Sequence, residues 1–115
     1  MNETLKTQIE EHCQMVQRGA KPCSLLTIKT EYNHSLVDRI YDEYNLHAIS
    51  KRSNETFSEL WIFKNNSLRF IIDLLPDEPT TPLDHALLGY LFGYDTDSIC
   101  DYILKHCQLN EPNLM

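Results

Sequence analysis

His85, Asp95 and Asp97 are the residues whose types and spacing come nearest to hydrolytic chemistry in this chain. An imidazole relays protons near neutral pH, and two carboxylates two positions apart in a turn can converge on a hard divalent cation. Together they sketch a small metal-dependent hydrolase. The same three residues also have plainer roles. Asp95 stands where a helix needs a cap, Asp97 where a negative charge suits a first turn, and His85 one turn inside a helix, a place where a ring packs at a crossing.

The other histidines and the cysteines offer less. His12-Cys13 and His106-Cys107 carry the nitrogen and sulfur ligands that zinc prefers. Neighbours on a helix diverge by about 100°, however, so two such pairs rarely meet at one ion. Cys100 and Cys107 share a helical face but stand roughly 10 Å apart along it, at about 1.5 Å of rise per residue. A thiol nucleophile needs positive surroundings, whereas these two lie in acidic sequence, and Cys23 has only Lys21 close by. The glycines are Gly19, Gly89 and Gly93, too sparse for a phosphate-binding loop, and the H-E-x-x-H and G-x-S-x-G motifs are absent. No catalytic residue, metal or cofactor is assigned from these patterns.

Charge says more about partners. Residues 1 to 65 hold eight Lys or Arg against nine Asp or Glu, while residues 66 to 115 hold two against eight. The net charge of −7 therefore resides mostly in the second half, which disfavours direct nucleic acid binding and fits a basic protein partner. No apolar run approaches the ~18 residues of a membrane span, and the charged MNETLKTQIEEH start is unlike a signal peptide. The expectation is a cytoplasmic protein without membrane contact, its four cysteines being buried thiols.

The strongest apolar pattern, Thr81 to Cys107, is a pair of helices. Thr81 caps the first, Pro82 suits its first turn, Asp84 favours its N-terminus, and Gly93 sits where a left-handed residue ends it. Asp95 or Thr96 caps the second, with Asp97 and Asp101 in its early turns. Leu87, Leu88, Leu91, Phe92, Ile99 and Ile103 are expected to face inward. Upstream, residues 2–18 read as a helix ended by Gly19, residues 24–30 as a strand, and residues 35–44 as an amphipathic helix ended by Asn45. Residues 46–53 and 57–64 form an antiparallel hairpin, the second strand turning Phe57, Glu59, Trp61 and Phe63 to one face and Ser58, Leu60 and Ile62 to the other. Leu68, Ile71, Ile72 and Leu75 predict a helix up to Pro76, although Phe70-Ile71-Ile72 would suit a strand, and PDEPTTP is a connector. The prediction is one α+β domain over residues 1–108 in the order α-β-α-β-β-α-α-α, with a flexible tail over 109–115.

The segment His85-Ala-Leu-Leu-Gly89-Tyr-Leu-Phe-Gly93-Tyr94 resembles the H-x-x-L-G-x-L-L-G-Y segment of some small uncharacterised prokaryotic proteins, where it follows a strand similar to Leu60-Trp61-Ile62-Phe63-Lys64. The resemblance covers residues 60 to 103 and implies a mixed α/β domain with no assigned activity. Some of those proteins carry a proline and a cysteine pair after the Gly-Tyr corner. This chain has Asp95, Asp97 and Ser98 there, so no metal or redox role is carried over.

The leading expectation is therefore a small acidic interaction or regulatory protein, inhibitor-like and without catalysis. Asp84, Tyr90, Tyr94, Asp95, Asp97 and Asp101 form its interaction face. The hydrolase reading of His85, Asp95 and Asp97 is the alternative from a different class.

Overall fold

A computed structural model describes residues 2–107. Its elements are α1 (Glu3–Gln17), β1 (Cys23–Lys29), a 3-10 turn (Thr30–Tyr32), α2 (Asn33–Tyr44), β2 (His47–Lys51), β3 (Phe57–Phe63), α3 (Leu68–Leu74), α4 (Pro82–Leu91) and α5 (Thr96–His106). The order of helices and strands is the predicted one, with the short turn added before α2. Residues 68–74 are helical, as their spacing predicts. The expected domain limit at residue 108 and the tail lie outside the described residues.

Local chemistry sets most of these boundaries. Asn2 Oδ1 accepts from the Leu5 amide at 2.8 Å and starts α1. Gly19, with φ of 75°, ends it: the Ala20 amide donates to the Met15 carbonyl at 3.0 Å and the Gly19 amide to Val16 at 3.1 Å. That paired closure removes two orphan carbonyls from the helix end. Asn45 terminates α2 in the left-handed region, as its short polar side chain allows. Arg52, at φ 53°, and the Asn54 carboxamide, which accepts from the Thr56 and Phe57 amides, turn β2 into β3.

The sheet order is β1-β3-β2, both pairings antiparallel, with Trp61 opposite Leu25 on one side and Ile49 on the other. As the central strand, β3 is covered on both faces, which is why Leu60, Trp61, Ile62 and Phe63 are all buried in succession. The parity read from the sequence holds. Leu60 and Ile62 join Ile9, Cys13 and Val16 of α1 and Leu36 and Ile40 of α2 in one core. Trp61 and Phe63 join Cys23, Ile72, Leu75 and Leu91 in a second core beneath α3 and α4. Each large apolar side chain withdrawn in this way contributes about 1.5–3 kcal/mol.

Two polar arrangements fasten the edges. Ser58, fully buried on the α2 side of β3, meets the hydroxyls of Thr30 at 2.8 Å and Ser53 at 2.8 Å, and accepts from Asn33 Nδ2 at 3.0 Å. These bonds tie the β2–β3 turn to the entrance of α2. On the opposite face Lys51 Nζ donates to the carbonyls of Ile72 and Leu75, placing a positive charge at the C-terminal end of α3.

Candidate functional site

The α4–α5 hairpin is built as its punctuation predicts. Thr81 Oγ1 accepts from the Asp84 amide at 3.1 Å, and Asp84 Oδ2 accepts from the Thr81 and Thr80 amides at 3.1 Å each. This reciprocal box starts α4, with Pro82 at its first position. At the other end Gly93 adopts φ 80°, the Tyr94 amide donates to Gly89 at 3.0 Å and the Gly93 amide to Tyr90 at 3.1 Å. Asp95, not Thr96, caps α5, its Oδ1 accepting from the Ser98 amide at 2.7 Å. The backbone amides of Thr80 and Thr81 hold the Asp84 carboxyl below the usual range, and the Ser98 amide does the same for Asp95.

Both glycines allow close approach. A Cβ on Gly89 would stand 2.6 Å from Ile99 Cγ1, so α5 lies directly against α4 there. A Cβ on Gly93 would stand 2.7 Å from Lys21 Cβ and 3.1 Å from the Ala20 carbonyl oxygen, so the corner rests on the α1–β1 connector. The rings of His85 and Tyr102 are 5.2 Å apart and those of Tyr102 and His106 are 4.3 Å apart, which closes the far end of the hairpin. Between the helices lies a groove of about 440 Å³ walled by Leu88, Phe92, Tyr94, Ile99 and Tyr102.

Of the six residues expected to turn inward, only Leu91 is fully buried; Leu87, Leu88, Phe92, Ile99 and Ile103 are half-buried. No residue of α5 is fully buried. Among the described residues α4 is its main packing partner. Leu83, Tyr90, Tyr94 and Leu104 are 67%, 58%, 63% and 65% exposed. By helical period Leu83 and Tyr90 share one stripe of α4, and Asp97, Asp101 and Leu104 one stripe of α5.

The expected interaction face is thus partly divided among other tasks. Asp84 and Asp95 are helix caps, Tyr94 lines the groove, and Tyr90, Asp97 and Asp101 face solvent. His85 packs on Tyr102, while Asp95 is engaged with α5. Among the described residues no three His, Cys, Asp or Glu side chains come together as a metal site.

The cysteines require a correction. Cys13 and Cys23 are buried, but Cys100 is exposed and Cys107 half-buried, because α5 lies outside both cores. Burial pushes the Cys13 and Cys23 thiols up to about 12, the nearby Glu43 adding to the effect at Cys13 and Lys21 slightly opposing it at Cys23. A neutral, enclosed thiol is a poor nucleophile, which counts against thiol chemistry at Cys23.

Sequence reasoning overlooked the aromatic centre of this region. Trp61 stacks on Phe92 with ring centroids 5.5 Å apart and planes at 21°. The indole is 4% exposed, and its buried Nε1 has no acceptor among the described residues. That Trp61 is the only tryptophan was visible. Its partner across some thirty residues was not. Among the described residues no helix is long and apolar enough to cross a membrane. No family model matches this chain, and no curated protein matches it either.

Proposed function

We propose that this chain is an acidic protein-docking module, regulatory and without catalysis, whose α4–α5 hairpin receives a basic segment of another protein in the cytoplasm. The observation that carries this reading is the state of α5. A helix with no fully buried residue, beside the exposed Leu83, Tyr90, Tyr94 and Leu104, contributes little to the core and much accessible surface. Aromatic area of this kind is enriched at protein interfaces.

Charge selects the partner. Asp97 and Asp101 are exposed and form no ion pair among the described residues, while the described ion pairs are Lys6–Glu3, Arg39–Glu43 and Arg52–Glu59, all elsewhere. Lys or Arg opposite these aspartates would be steered to the hairpin and held in register. Reduced thiols suit the cytoplasm.

The test is a pull-down from cell extract with the intact chain and with Asp97→Lys/Asp101→Lys. Asp95 is left alone because it caps α5. A partner retained by the wild type and lost by the variant, with helix content unchanged, supports the reading. Equal recovery by both would remove this surface from consideration.

A further inference from the structure

The order β1-β3-β2 leaves one side of β1 without a neighbouring strand. One step beyond the paired Lys29 and Phe57, the Thr30 amide donates to the Thr56 carbonyl at 2.9 Å. Inward and outward residues alternate along an antiparallel ladder, so Ser24, Leu26 and Ile28 bond to β3 while the N–H and C=O of Leu25, Thr27 and Lys29 point away from it. No turn, loop or cap of the described residues supplies a backbone partner for those outward groups. Thr27 and Lys29 are exposed, and only α1 and β3 pack substantially on β1.

Natural sheets usually blunt such an edge with a bulge, a proline or charge. Here the register is unbroken from Cys23 to Lys29, the strand holds no proline, and its one charge, Lys29, stands at the end. The other edge strand, β2, is only five residues long and offers less.

We propose that the β1 edge pairs antiparallel with β1 of a second copy of this chain, joining the two sheets into one about a two-fold axis at Thr27. The inference goes beyond the docking reading and uses a different surface, since Asp97 and Asp101 of α5 take no part in it. A two-fold interface needs a surface complementary to itself, and a strand edge meets that condition when turned through half a rotation. Centred on Thr27, the two Thr27 residues exchange a reciprocal pair of bonds, and Leu25 of each chain does the same with Lys29 of the other. Every outward group is then used, and the two lysines lie opposite leucines, not each other. Charge permits the contact: the hollows beside this edge are lined by Lys21 and Lys29 and by no Asp or Glu. Two chains of net charge −7 meet here without setting carboxylates against each other.

Strand pairing alone buries little, and a stable dimer needs on the order of 1,200 Å² or more in total. Helix α1 adds to it. That helix packs on both β1 and β3. Across strands about 4.8 Å apart, it and its copy would therefore stand roughly 8–10 Å from each other, the ordinary spacing of packed helices. Thr4, Gln8 and Met15, which border the edge, would be covered.

The experiment measures the mass of the intact protein by light scattering from micromolar to millimolar concentration, with amide exchange on the 15N-labelled chain. Expected is twice the monomer mass at the upper end. There the Leu25, Thr27 and Lys29 amides should exchange at least about tenfold more slowly than in dilute protein, while those of Leu26 and Ile28 are protected throughout. Thr27→Pro removes an outward N–H without touching the β3 ladder, a place where edge strands tolerate proline. It should weaken the dimer at least about tenfold through the two symmetry-related bonds it deletes, with helix and strand content unchanged. Thr27→Val, which keeps the N–H, should dimerise as the wild type does. If Thr27→Pro does not fold, the exchange pattern of the wild type decides the same point. A chain that stays monomeric at millimolar concentration overturns the inference, as does a dimer whose outward amides still exchange freely or one that survives in Thr27→Pro. None of these results bears on the docking reading, which the aspartate variants decide.

Discussion

At the scale of single residues, burial sorts the titratable groups more sharply than neighbouring charge does. Cys13 and Cys23 hold their protons far above neutral pH, whereas Cys100 meets solvent. Native protein treated with a thiol reagent at pH 8 should label Cys100 first and Cys107 more slowly, with Cys13 and Cys23 reacting only on unfolding. Mass spectrometry of the labelled peptides checks the order. His12 gives a second prediction. Its imidazole is hydrogen-bonded to the fully buried Ser24 hydroxyl, and burial, then Lys21, depress its pKa below the ordinary 6.5, with Glu11 opposing. The unfolded chain therefore binds this proton more readily than the folded one. The stabilising contribution is complete above pH 6.5 and is lost as pH falls through the lower folded value. Urea midpoints measured from pH 8 down to pH 5 should fall for the wild type and fall less for His12→Gln. Leu5, Ile9, His12 and Val16 recur at helical spacing, which sets His12 along the apolar side of α1, but nothing local marks Ser24 as its partner.

At the scale of elements, the hairpin depends on two glycines for different reasons. Gly93 needs both a left-handed backbone and the absence of a side chain, since the Ala20 carbonyl and Lys21 leave no room. Gly93→Ala should cost at least about 2 kcal/mol, combining left-handed strain with the clash. Gly89 has ordinary helical backbone, where alanine would by itself gain about 1 kcal/mol. Its Cβ would meet a branched, stiff Ile99, so Gly89→Ala should loosen α5, and adding Ile99→Ala should restore it. Thermal denaturation of the two single variants and the double variant measures this coupling, and additivity would refute the contact. Gly93 could be read from the sequence because the end of a helix is a local event. The reason for Gly89 could be read only as a close approach, and the approaching residue had to come from the fold.

At the scale of the whole molecule, the sheet separates two cores and α5 belongs fully to neither. Leu91 anchors α4 in the second core, while Ile103 is half-buried on the outer helix. Leu91→Ala should therefore cost about 2–5 kcal/mol, and Ile103→Ala roughly 1 kcal/mol. Hydrogen exchange should follow the same division, with amides of α5 opening locally and those of β3 only on global unfolding. Equal protection of α5 and β3 would mean that the outer helix is tied down more firmly than its contacts indicate. The cleft beside Trp61 arises at this scale too. Its walls come from β1, β2, β3, α4 and the connector between α3 and α4, so no single stretch of sequence contains it.

The sequence alone determined where elements begin and end, and which strand residues face the same way. Caps, left-handed glycines, prolines and residue parity act within about four positions, so the chain displays them locally. Only the tertiary structure decided that β3 is central, that Lys51 reaches the end of α3, that Cys100 is exposed and that Trp61 meets Phe92. Those outcomes depend on which distant surfaces bury one another, and a hydrophobic face looks the same in the sequence whichever neighbour covers it.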